Sequence, residues 1–475
     1  MVIAHSGTLK WTSIDQTEIL AAGGRLEAGV YNIEARHARE LVQTCGLPSR
    51  SLTDPQLVVS VSYPGRFRRN YVSRAVGLPF ILPSQITDLN PLPAKWVYGL
   101  NDSDLAALRV TEGDILLTRS GTIGQCAVAG SSLAGKVMSD DLIRIVPQEK
   151  YRGYLYTFLL SKTGQLLLTT SNYGAVVQHI EPDHLAGILV PIPDDATITA
   201  LNDSMTRSYE LRDESSALIS QADDLLVRTI DLPPLEAIPI DEYRHSAGVV
   251  NIGVPVRELD GRLDASYHSP LAAAIEALLM RLVPQVTTIA DSRISSDIIL
   301  PGRFKRVYVE DGFGVPFIGG KQIGRLDPRT GKNLSLQEHG KRIREQLTIR
   351  QNQVLITCSG TIGRTNIAPK HWAGWTSSQH IIRVDPAAPW MAGYLYSWLS
   401  SDYGRELIRR FTYGSVVDEV DDTHVGRVMV PLLAEERMRE IGQLVLQAND
   451  RRYEAFTVEQ QALKTFDNEV LGLSA

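Results

Sequence analysis

The chain has little cysteine and no long apolar run. Its 475 residues include three cysteines, Cys45, Cys126 and Cys358, which are far apart and outside the spacings of metal sites. We expect them to be buried small residues in a reducing cytosol rather than ligands or nucleophiles. No run of about 18 apolar residues occurs, so no membrane span is expected. Residues 1–9 lack a basic region followed by an apolar core, so no signal peptide is expected either.

The sequence also lacks the residue sets of common catalytic sites. Ser120-Gly121-Thr122-Ile123-Gly124 has the glycines of a phosphate-binding loop, but no Lys-Ser or Lys-Thr follows them. The ten histidines form no pairing of the kind that binds metal, and no Ser/His/Asp set is repeated. Asn90-Pro91-Leu92-Pro93 lacks the aromatic residue of an amino-methyltransferase motif, so a proline-rich turn is expected there. We therefore expect no catalytic residue, no metal and no cofactor in this chain.

Charge is segregated along the chain. The net charge is −6, from 48 basic and 54 acidic residues, and a negative sum alone argues against nucleic acid. Binding depends on the local patch rather than on the sum. Between Pro64 and Arg74 there are four arginines and no acid, and a second basic stretch runs from Arg325 to Arg350. Local patches are therefore compatible with binding to a polyanion.

The most informative feature is an internal repeat. Gly24 recurs at Gly261, 237 residues further on, and Gly153 recurs at Gly393, 240 residues further on. A duplicated unit of this size is a whole domain with its connector, too long for a solenoid repeat. The paired motifs are Gly24-Arg25-Leu26-Glu27-Ala28 with Gly261-Arg262-Leu263-Asp264-Ala265, Pro64-Gly65-Arg66-Phe67 with Pro301-Gly302-Arg303-Phe304, Ser120-Gly121-Thr122-Ile123-Gly124 with Ser359-Gly360-Thr361-Ile362-Gly363, and Gly153-Tyr154-Leu155-Tyr156 with Gly393-Tyr394-Leu395-Tyr396.

Each copy has the pattern of a strand-rich domain, which we place at residues 1–193 and 256–433. Short β-branched runs are bounded by Gly, Pro, Asn and Asp, and the Ser-Gly-Thr-Ile-Gly motif between two apolar runs is typical of a hairpin. A helical stretch follows at residues 151–169 and 390–411. A closing strand is then predicted within residues 185–193 and 425–433.

A long helix is predicted after each domain, over residues 194–232 and 434–475, with residues 233–255 as a linker. Ile198, Leu201 and Met205 begin a heptad-like stripe, and Pro233 with Pro234 ends the first helix. The stripes are narrow and the other faces are charged, so we expect the two helices to pack on each other. The alternative is that each helix covers only its own domain.

Basic and aromatic residues alternate at equivalent places in the two copies. The segments are Arg66-Phe67-Arg68-Arg69-Asn70-Tyr71 and Arg303-Phe304-Lys305-Arg306-Val307-Tyr308. Arginine forms paired hydrogen bonds to guanine and to phosphate, so one interpretation is DNA contact. The alternative is a solvated strand face with a buried phenylalanine.

Two further repeated features have a structural and a functional interpretation. The Ser-Gly-Thr-Ile-Gly hairpin is either structural only, or its glycines expose amide donors to a DNA backbone beside Arg119. His184 and His424 are equivalent in the repeat and precede the closing strand. We expect structural hydrogen bonds rather than catalysis for both histidines.

The ordered motifs resemble the DNA-specificity subunits of type I restriction–modification enzymes. The resemblance covers essentially the whole chain, twice. The matching elements are the Arg-Leu-acid-Ala motif followed by Tyr31 or Tyr267, the Ser-Gly-Thr-Ile-Gly hairpin, Ser139 to Arg144 with Ser378 to Arg383, Tyr173-Gly174-Ala175-Val176-Val177 with Tyr413-Gly414-Ser415-Val416-Val417, and a Val-Pro-Ile-Pro type of strand before a long helix.

The resemblance implies an α+β fold with two pseudo-symmetric target-recognition domains joined by two long antiparallel helices. Each domain would recognise one half of a split site in double-stranded DNA, and the helices would set the half-site spacing. Two methyltransferase subunits and a motor-nuclease subunit would be the partners, and S-adenosylmethionine, ATP and Mg²⁺ would bind to them. Such a protein is cytoplasmic, in a bacterium or archaeon. The copies differ most at residues 90–109 and 328–350, so different half-sites are expected.

The residues predicted to contact DNA are the basic segments, the hairpin tips and an intervening turn. They are Arg66, Arg68, Arg69, Gln85, Arg119, Ser120, Thr122, Arg303, Lys305, Arg306, Lys321, Gln322, Ser359 and Thr361. Other functions remain open from the sequence. They are a specificity subunit of a related multi-subunit methyltransferase or nuclease defence system, a nuclease or methyltransferase with a cryptic site, and a protein-interaction scaffold.

Overall fold

The chain folds as two units, each built around one copy of the repeat. The computed structural model describes residues 4–473 apart from residues 7–8, 12, 22–23, 25, 27–30, 92, 94, 171–178, 241–243, 247–248, 252 and 415. Unit 1 comprises Met1–Asp213 and Ala455–Ala475, and unit 2 comprises Glu214–Glu454. Predictions that fall on Arg25, Glu27, Ala28, Leu92 and residues 173–177 lie outside the described residues.

Both units contain the same four-stranded antiparallel sheet, here called sheet A. The middle strands Ile115–Thr118 and Val354–Thr357 are buried along their whole length, which explains why they are continuous apolar runs rather than alternating ones. In spatial order the strands are Val58–Ser62, Leu142–Pro147, Ile115–Thr118 and Cys126–Val128 in unit 1, and Ser295–Ile299, Ile381–Pro386, Val354–Thr357 and Thr365–Ile367 in unit 2.

A second four-stranded sheet, sheet B, is also present in both units. One of its pairings is parallel, Phe80 with Val137 in unit 1 and Phe317 with Thr376 in unit 2, and the others are antiparallel. Its strand order is the same in the two units. The strands are Val137–Met138, Leu78–Ile81, Lys95–Val97 and Tyr71–Val72 in unit 1, and Thr376–Ser377, Gly314–Ile318, Asn333–Ser335 and Tyr308–Val309 in unit 2.

The segments that differ most in sequence form the same elements in the two units. In unit 1 the strand Lys95–Val97 leads into the helix Asp102–Leu108, which begins where the Asn101 side chain accepts a hydrogen bond from the Asp104 amide at 2.8 Å. In unit 2 the strand Asn333–Ser335 leads into the helix Leu336–Arg342, and Ser335 caps it by accepting from the Glu338 amide. A capping side chain is sufficient to start each helix, so the variable sequences keep a common backbone plan.

The predicted helical stretches after the hairpin are present, each divided into two helices. They are Arg152–Leu160 with Lys162–Thr170 in unit 1, and Pro389–Ser400 with Asp402–Arg409 in unit 2. Ser161 and Ser401 stand at the breaks, where each hydroxyl accepts a hydrogen bond from a glycine amide of the following helix, Gly164 or Gly404. Each serine therefore caps the second helix.

The predicted closing strands are also present, but they do not join sheet A. Leu189–Pro191 pairs with Ser49–Ser51 in unit 1, and Met429–Leu432 pairs with Gln285–Thr288 in unit 2. The other helices and hairpins of unit 1 are Gln16–Ala21, Ile33–Thr44, Pro182–Ala186 and Ala4–Ser6 with Leu9–Trp11, and those of unit 2 are Pro270–Leu282, Asp422–Gly426 and Arg244–Ser246 with Val249–Asn251.

The long helices are Asp195–Ile230 and Glu435–Thr465, the second continuing in a π-helical turn over Phe466–Val470. Each unit contains half of each helix, and in both units these halves pack together: the Ser208 hydroxyl donates to the Ala455 carbonyl in unit 1, and the Arg452 guanidinium donates to the Ser215 hydroxyl in unit 2. The first half of one helix pairs with the second half of the other, as in antiparallel helices. The predicted α+β fold with two paired long helices is confirmed.

Each pair of half-helices also belongs to the core of its own domain. In unit 1, Leu201, Met205 and Phe466 share a buried cluster with Ile115 and Leu117 of sheet A. In unit 2, Ile219 and Ile441 share a cluster with Val354 of sheet A. The alternative that each helix covers only its own domain is therefore wrong, because each helix packs on its partner and contributes one half to the core of each unit.

A buried arginine reinforces this packing at equivalent positions of the two units. Arg212 forms an ion pair with the buried Glu459 and reaches the Tyr156 hydroxyl at 3.4 Å. Arg452, only 1% exposed, donates to Asn366 at 3.0 Å and lies 5.9 Å from the Tyr396 ring centroid. Burial of a charge costs free energy unless other groups replace the lost water, and an ion pair does so for Arg212 while hydrogen bonds do so for Arg452. Each arginine therefore fixes the orientation of its own long helix against the domain of the same unit.

The repeated Gly-Tyr-Leu-Tyr motif allows a domain helix to approach a long helix closely. A Cβ atom on Gly393 would lie 2.1 Å from the Gly442 carbonyl oxygen, and one on Gly153 would lie 2.5 Å from the Asn202 carbonyl oxygen. Both obstacles are backbone atoms of the adjoining long helix. Only glycine fits at these two positions without moving a helix.

Gly393→Ala is therefore expected to destabilise unit 2 by about 3 kcal/mol, because overpacking of a core costs about 1–3 kcal/mol and here the obstacle is backbone. Thermal unfolding followed by circular dichroism measures the loss. Gly253→Ala is the matched control, since no atom lies within 4 Å of its added methyl. Equal unfolding midpoints for the two variants would contradict the close approach.

Candidate nucleic-acid interface

The basic segment of unit 1 is an irregular connection between sheets A and B. Arg66 and Arg68 are exposed, and no hydrogen bond to either is found among the described residues. Phe67 between them is half-buried, with its ring centroid 6.0 Å from that of Phe80 in sheet B. The interpretation as a strand face is therefore wrong for residues 66–70, and Phe67 is half-buried rather than buried. The ring holds the connection, and the two arginines extend into solvent.

Unit 2 has the same arrangement with different partners. Arg303 and Lys305 are exposed, and Phe304 packs against His339 at 5.3 Å between ring centroids. Arg342, from the same helix as His339, donates to the Gly302 carbonyl at 3.0 Å. The variable helix of unit 2 thus supports the basic segment directly.

The third cation of each segment is held inside the domain. Arg69 forms ion pairs with Asp140 and Asp141, the latter at 3.3 Å. Arg306, the equivalent residue, donates to the Gln379 side-chain oxygen at 2.5 Å and lies 5.2 Å from the Phe317 ring centroid. Both residues were predicted to contact DNA, and the structure places both in intramolecular contacts. That prediction stays a prediction.

The Ser-Gly-Thr-Ile-Gly hairpin is confirmed in both units, where Ile115–Thr118 pairs with Cys126–Val128 and Val354–Thr357 pairs with Thr365–Ile367. Thr357 fixes the tip, because its hydroxyl donates to the Thr361 carbonyl at 2.5 Å and accepts from the Arg364 amide at 2.9 Å. Thr118 makes the same two bonds in unit 1. Ser120 and Ser359 are half-buried, and Thr122 and Thr361 are exposed.

Three of the four hairpin glycines donate their amides within the protein. Gly360 donates to the Asp418 carbonyl at 3.0 Å, and Gly363 donates to the Thr357 carbonyl at 2.9 Å. Gly124 donates to the Thr118 carbonyl. The expectation that the glycines of the first hairpin offer free amide donors to a DNA backbone is therefore wrong for Gly124, and the second hairpin uses the amides of Gly360 and Gly363 in the same way. Their positive φ angles show instead that they are required by the turn.

Arg119 beside the first hairpin is 6% exposed. Its guanidinium forms ion pairs with Glu181 and, at 3.4 Å, with Asp141, and it lies 4.5 Å from the Tyr63 ring centroid. The hydrogen bond to Glu181 raises the pKa of Arg119. These contacts favour a structural role for Arg119 beside the hairpin. The predicted contact of Arg119 with DNA stays a prediction.

The remaining predicted residues lie on a 3₁₀ turn after the second strand of sheet B. Gln85 closes the turn Pro83–Gln85 by accepting from the Leu82 amide at 3.0 Å. The equivalent turn, Gly320–Gln322, carries the exposed Lys321 and the half-buried Gln322. A Cβ on Gly320 would lie 3.0 Å from Thr357, so this turn adjoins the hairpin of unit 2.

Sequence reasoning missed a cleft in unit 2 beside the hairpin tip. The cleft has a volume of about 570 Å³, and Gln379, His380, Val416, Val417 and Glu419 line it together with the predicted Arg303 and Ser359. The missed residues belong to or adjoin two repeated segments, 378–383 and 413–417. The repetition of these segments was the only sequence signal for the cleft, and it does not distinguish a residue that lines a cleft from one that supports the fold.

Cys126, Cys358, His184 and His424 have structural roles, and the expected burial is confirmed for Cys126 and Cys358, whereas Cys45 is half-buried. Burial raises the pKa of Cys126 and of Cys358 to about 12, so neither thiol is a ready nucleophile. His184 accepts from the Glu181 amide at 3.0 Å, and His424 lies 3.2 Å from an Arg262 nitrogen. Within the described ranges, no group of three or more His, Cys, Asp and Glu could hold a metal ion. In that part of the chain, no helix combines the length and the apolar character that crossing a membrane requires.

A repeated arginine holds the end of each variable segment. Arg144 donates to the Arg109 carbonyl at 2.8 Å in unit 1, and Arg383 donates to the carbonyls of Gln346 and Thr348 in unit 2. Burial lowers the pKa of Arg383 to about 10. A buried guanidinium bonded to backbone carbonyls can hold segments of different sequence, because it makes no use of their side chains.

Comparisons with known proteins give similarity at the level of solved structures only. No family model matches the chain, and no curated protein matches it. A crystal structure of a type I restriction-modification S subunit from M. genitalium is 13% identical, over 90% of this chain and 95% of that one, with a TM-score of 0.33. The HsdS subunit from Thermoanaerobacter tengcongensis is 14% identical, over 91% and 95%, with a TM-score of 0.28.

A third structure, of a type I restriction-modification assembly, is 14% identical over 89% of this chain and 98% of that one, with a TM-score of 0.28. All three are S subunits of type I systems. This is the family that the motifs indicated. At this level of identity and superposition, the assignment of a function depends on the chain's own residues.

Arg383→Met keeps the volume of the side chain but removes its donors, and it is expected to lower the free energy of unfolding by about 2 kcal/mol or more. The end of the variable segment near residues 343–348 should also become sensitive to protease. Limited proteolysis and thermal unfolding measure the two effects. Arg344→Met is the control, since Arg344 is exposed in the same segment. Identical cleavage patterns for the two variants would show that Arg383 does not hold the segment.

Proposed function

We propose that this chain is the non-catalytic DNA-specificity subunit of a type I restriction–modification complex, and that each unit recognises one half of a bipartite site. The observation that carries the proposal is the repeated placement of exposed cations. Arg66 and Arg68 in unit 1, and Arg303 and Lys305 in unit 2, lie on the same connection between the same two sheets.

The exposed cations suit contact with the phosphate backbone, and the variable segments suit discrimination between base sequences. Contacts to phosphate supply affinity and register without sequence information, and long flexible cations on an exposed loop suit that task. Sequence discrimination requires contacts that differ between half-sites. The segments 90–109 and 328–350 differ in sequence but share a strand and a capped helix that pack beside the basic connection. When one domain has bound its half-site, the linked second domain is held near the other half-site, which raises the effective concentration of that domain there.

The proposed complex contains two methyltransferase subunits and a motor-nuclease subunit. S-adenosylmethionine, ATP and Mg²⁺ would bind to those partners, and the complex would act in the cytoplasm of a bacterium or archaeon. Methylation mapping after co-expression with a partner methyltransferase tests this assignment. Methylation by the isolated chain, or cleavage of DNA by it, would favour a cryptic enzyme instead.

Substitution of the exposed cations should weaken binding to all duplexes to the same extent. For the double variant Arg303→Ala/Lys305→Ala, the slope of log affinity against log salt should fall by about 0.9 for each phosphate that the protein no longer neutralises. Fluorescence anisotropy with a labelled duplex, repeated at several salt concentrations, measures this slope.

The control for this experiment is Arg281→Ala, which removes an exposed cation of unit 2 that is outside the predicted set. Its slope should equal that of the unmodified chain. If the double variant kept the original slope as well, the basic connection would be a solvated surface that does not bind phosphate.

The long helices are expected to set the spacing between the half-sites. The first helix has 36 residues, which corresponds to about 54 Å at a rise of about 1.5 Å per residue. Deletion of one heptad from each helix should therefore change the preferred number of base pairs between the half-sites, as mapped by methylation of a spacer library. A recognition site with the original spacer would rule out the helices as the determinant of spacing.

A further inference from the structure

The cleft of unit 2 offers the chemistry that base edges require. Arg303 is a donor with 77% of its side chain exposed, and it forms an ion pair at 2.8 Å with Glu419, which is 28% exposed. A surface ion pair of this kind contributes little free energy, so a ligand can replace either partner. Val416, 95% exposed, adds an apolar surface at the rim. Donor, acceptor and methyl contacts are the three elements by which the major groove distinguishes base pairs.

A fixed polar pair forms the inner wall of the cleft. The Gln379 side-chain oxygen accepts from Arg306 at 2.5 Å, which orients the amide because a guanidinium can only donate. The Gln379 amide nitrogen then lies 3.1 Å from the His380 Nε2 atom, which must accept. Burial lowers the pKa of His380, and the charge of Arg306 acts in the same direction, while the Glu419 carboxylate opposes both. Among the described residues, no protein partner is found for the second hydrogen of the Gln379 amide, so a ligand can accept it.

Unit 1 has different groups at the equivalent positions. Gln379, His380 and Glu419 correspond to Asp140, Asp141 and His179, so the acid and the imidazole have exchanged places. Backbone contacts show that the positions are equivalent. Ser359 is bridged to Glu419 as Ser120 is to His179, and the Ser378 amide donates to the Ile318 carbonyl as the Ser139 amide does to Ile81. The carboxylates of unit 1 are held by Arg69 and Arg119.

We propose that this cleft is the base-recognition centre of unit 2, in which Gln379, His380 and Glu419 determine which base pairs are preferred. The exchange of acid and imidazole between the two units makes their half-sites different. Glu419 accepts a hydrogen bond from a base amino group, such as cytosine N4, and the Gln379 amide donates to a base acceptor, while Arg303, released from Glu419, binds the neighbouring phosphate. This inference rests on the proposed function, since it assumes that unit 2 contacts DNA.

The test is selection of bound duplexes from a randomised library by the full-length chain, followed by sequencing. Glu419→Gln removes one charge with little change in shape, and the triple variant Gln379→Asp/His380→Asp/Glu419→His transfers the groups of unit 1 to unit 2. Each should reduce the preference for the original base at one or more positions of the second half-site by about 10-fold or more, with the first half-site unchanged. Glu436→Gln is the control, because Glu436 is an exposed acid of unit 2 on the long helix.

The possible results are distinguishable. If the unmodified chain enriches no sequence, the proposed function and this inference both fail. If it enriches a bipartite site and both variants enrich the same second half-site, the cleft does not recognise bases while the function stands. A change in overall affinity without a change in base preference would likewise overturn the inference, because it indicates backbone contact only. If the triple variant loses its cooperative unfolding transition, Glu419→Gln alone decides.

Discussion

The close packing of a domain helix on a long helix is the contact on which the rest of each unit depends. It requires glycine at positions 153 and 393, where any side chain would meet the backbone of the long helix. It also brings the buried tyrosines of the same motif towards Arg212 and Arg452. Sheet A is then covered by both helices, and the hairpin and the basic connection are positioned from that sheet. A shift of the helix by one residue would displace the whole candidate interface.

Much of the fold could be predicted from the sequence, because the repeat supplied each element twice. The hairpins, the helical stretches and the long helices follow from periodicity and from turn residues, which are local properties. The breaks at Ser161 and Ser401 were missed, because apolar residues recur on both sides of them and only the serine hydroxyl that caps the second helix marks each break. The strands of sheet B were not predicted. They are short and partly exposed, so their pairing depends on distant partners rather than on their own pattern.

The candidate site was less predictable, for a physical reason. The sequence identifies Arg66 and Arg303 as cations at equivalent positions of the repeat. Only the fold shows that Arg69 is paired with Asp140, and Arg119 with Glu181. A carboxylate about 60 or more residues away cannot be paired with an arginine from sequence alone. The cleft is a similar case, because its lining comes from four separate segments. Arg144 and Arg383 hold the variable segments through their backbone carbonyls, so the side chains of these segments can differ. Two domains with the same fold can therefore make different contacts with DNA.

The division of the chain into units has a consequence for synthesis. Unit 2 is one continuous segment, Glu214–Glu454, whereas unit 1 needs Ala455–Ala475 in addition to the first 213 residues. Phe466 and Val470 are buried in the same core as Tyr154 and Phe158 of unit 1. On a ribosome, the core of unit 1 therefore lacks Phe466 and Val470 until after the whole of unit 2 has been synthesised. Unit 1 cannot complete its core before unit 2 has been made, in contrast to the usual order in which the N-terminal domain folds first.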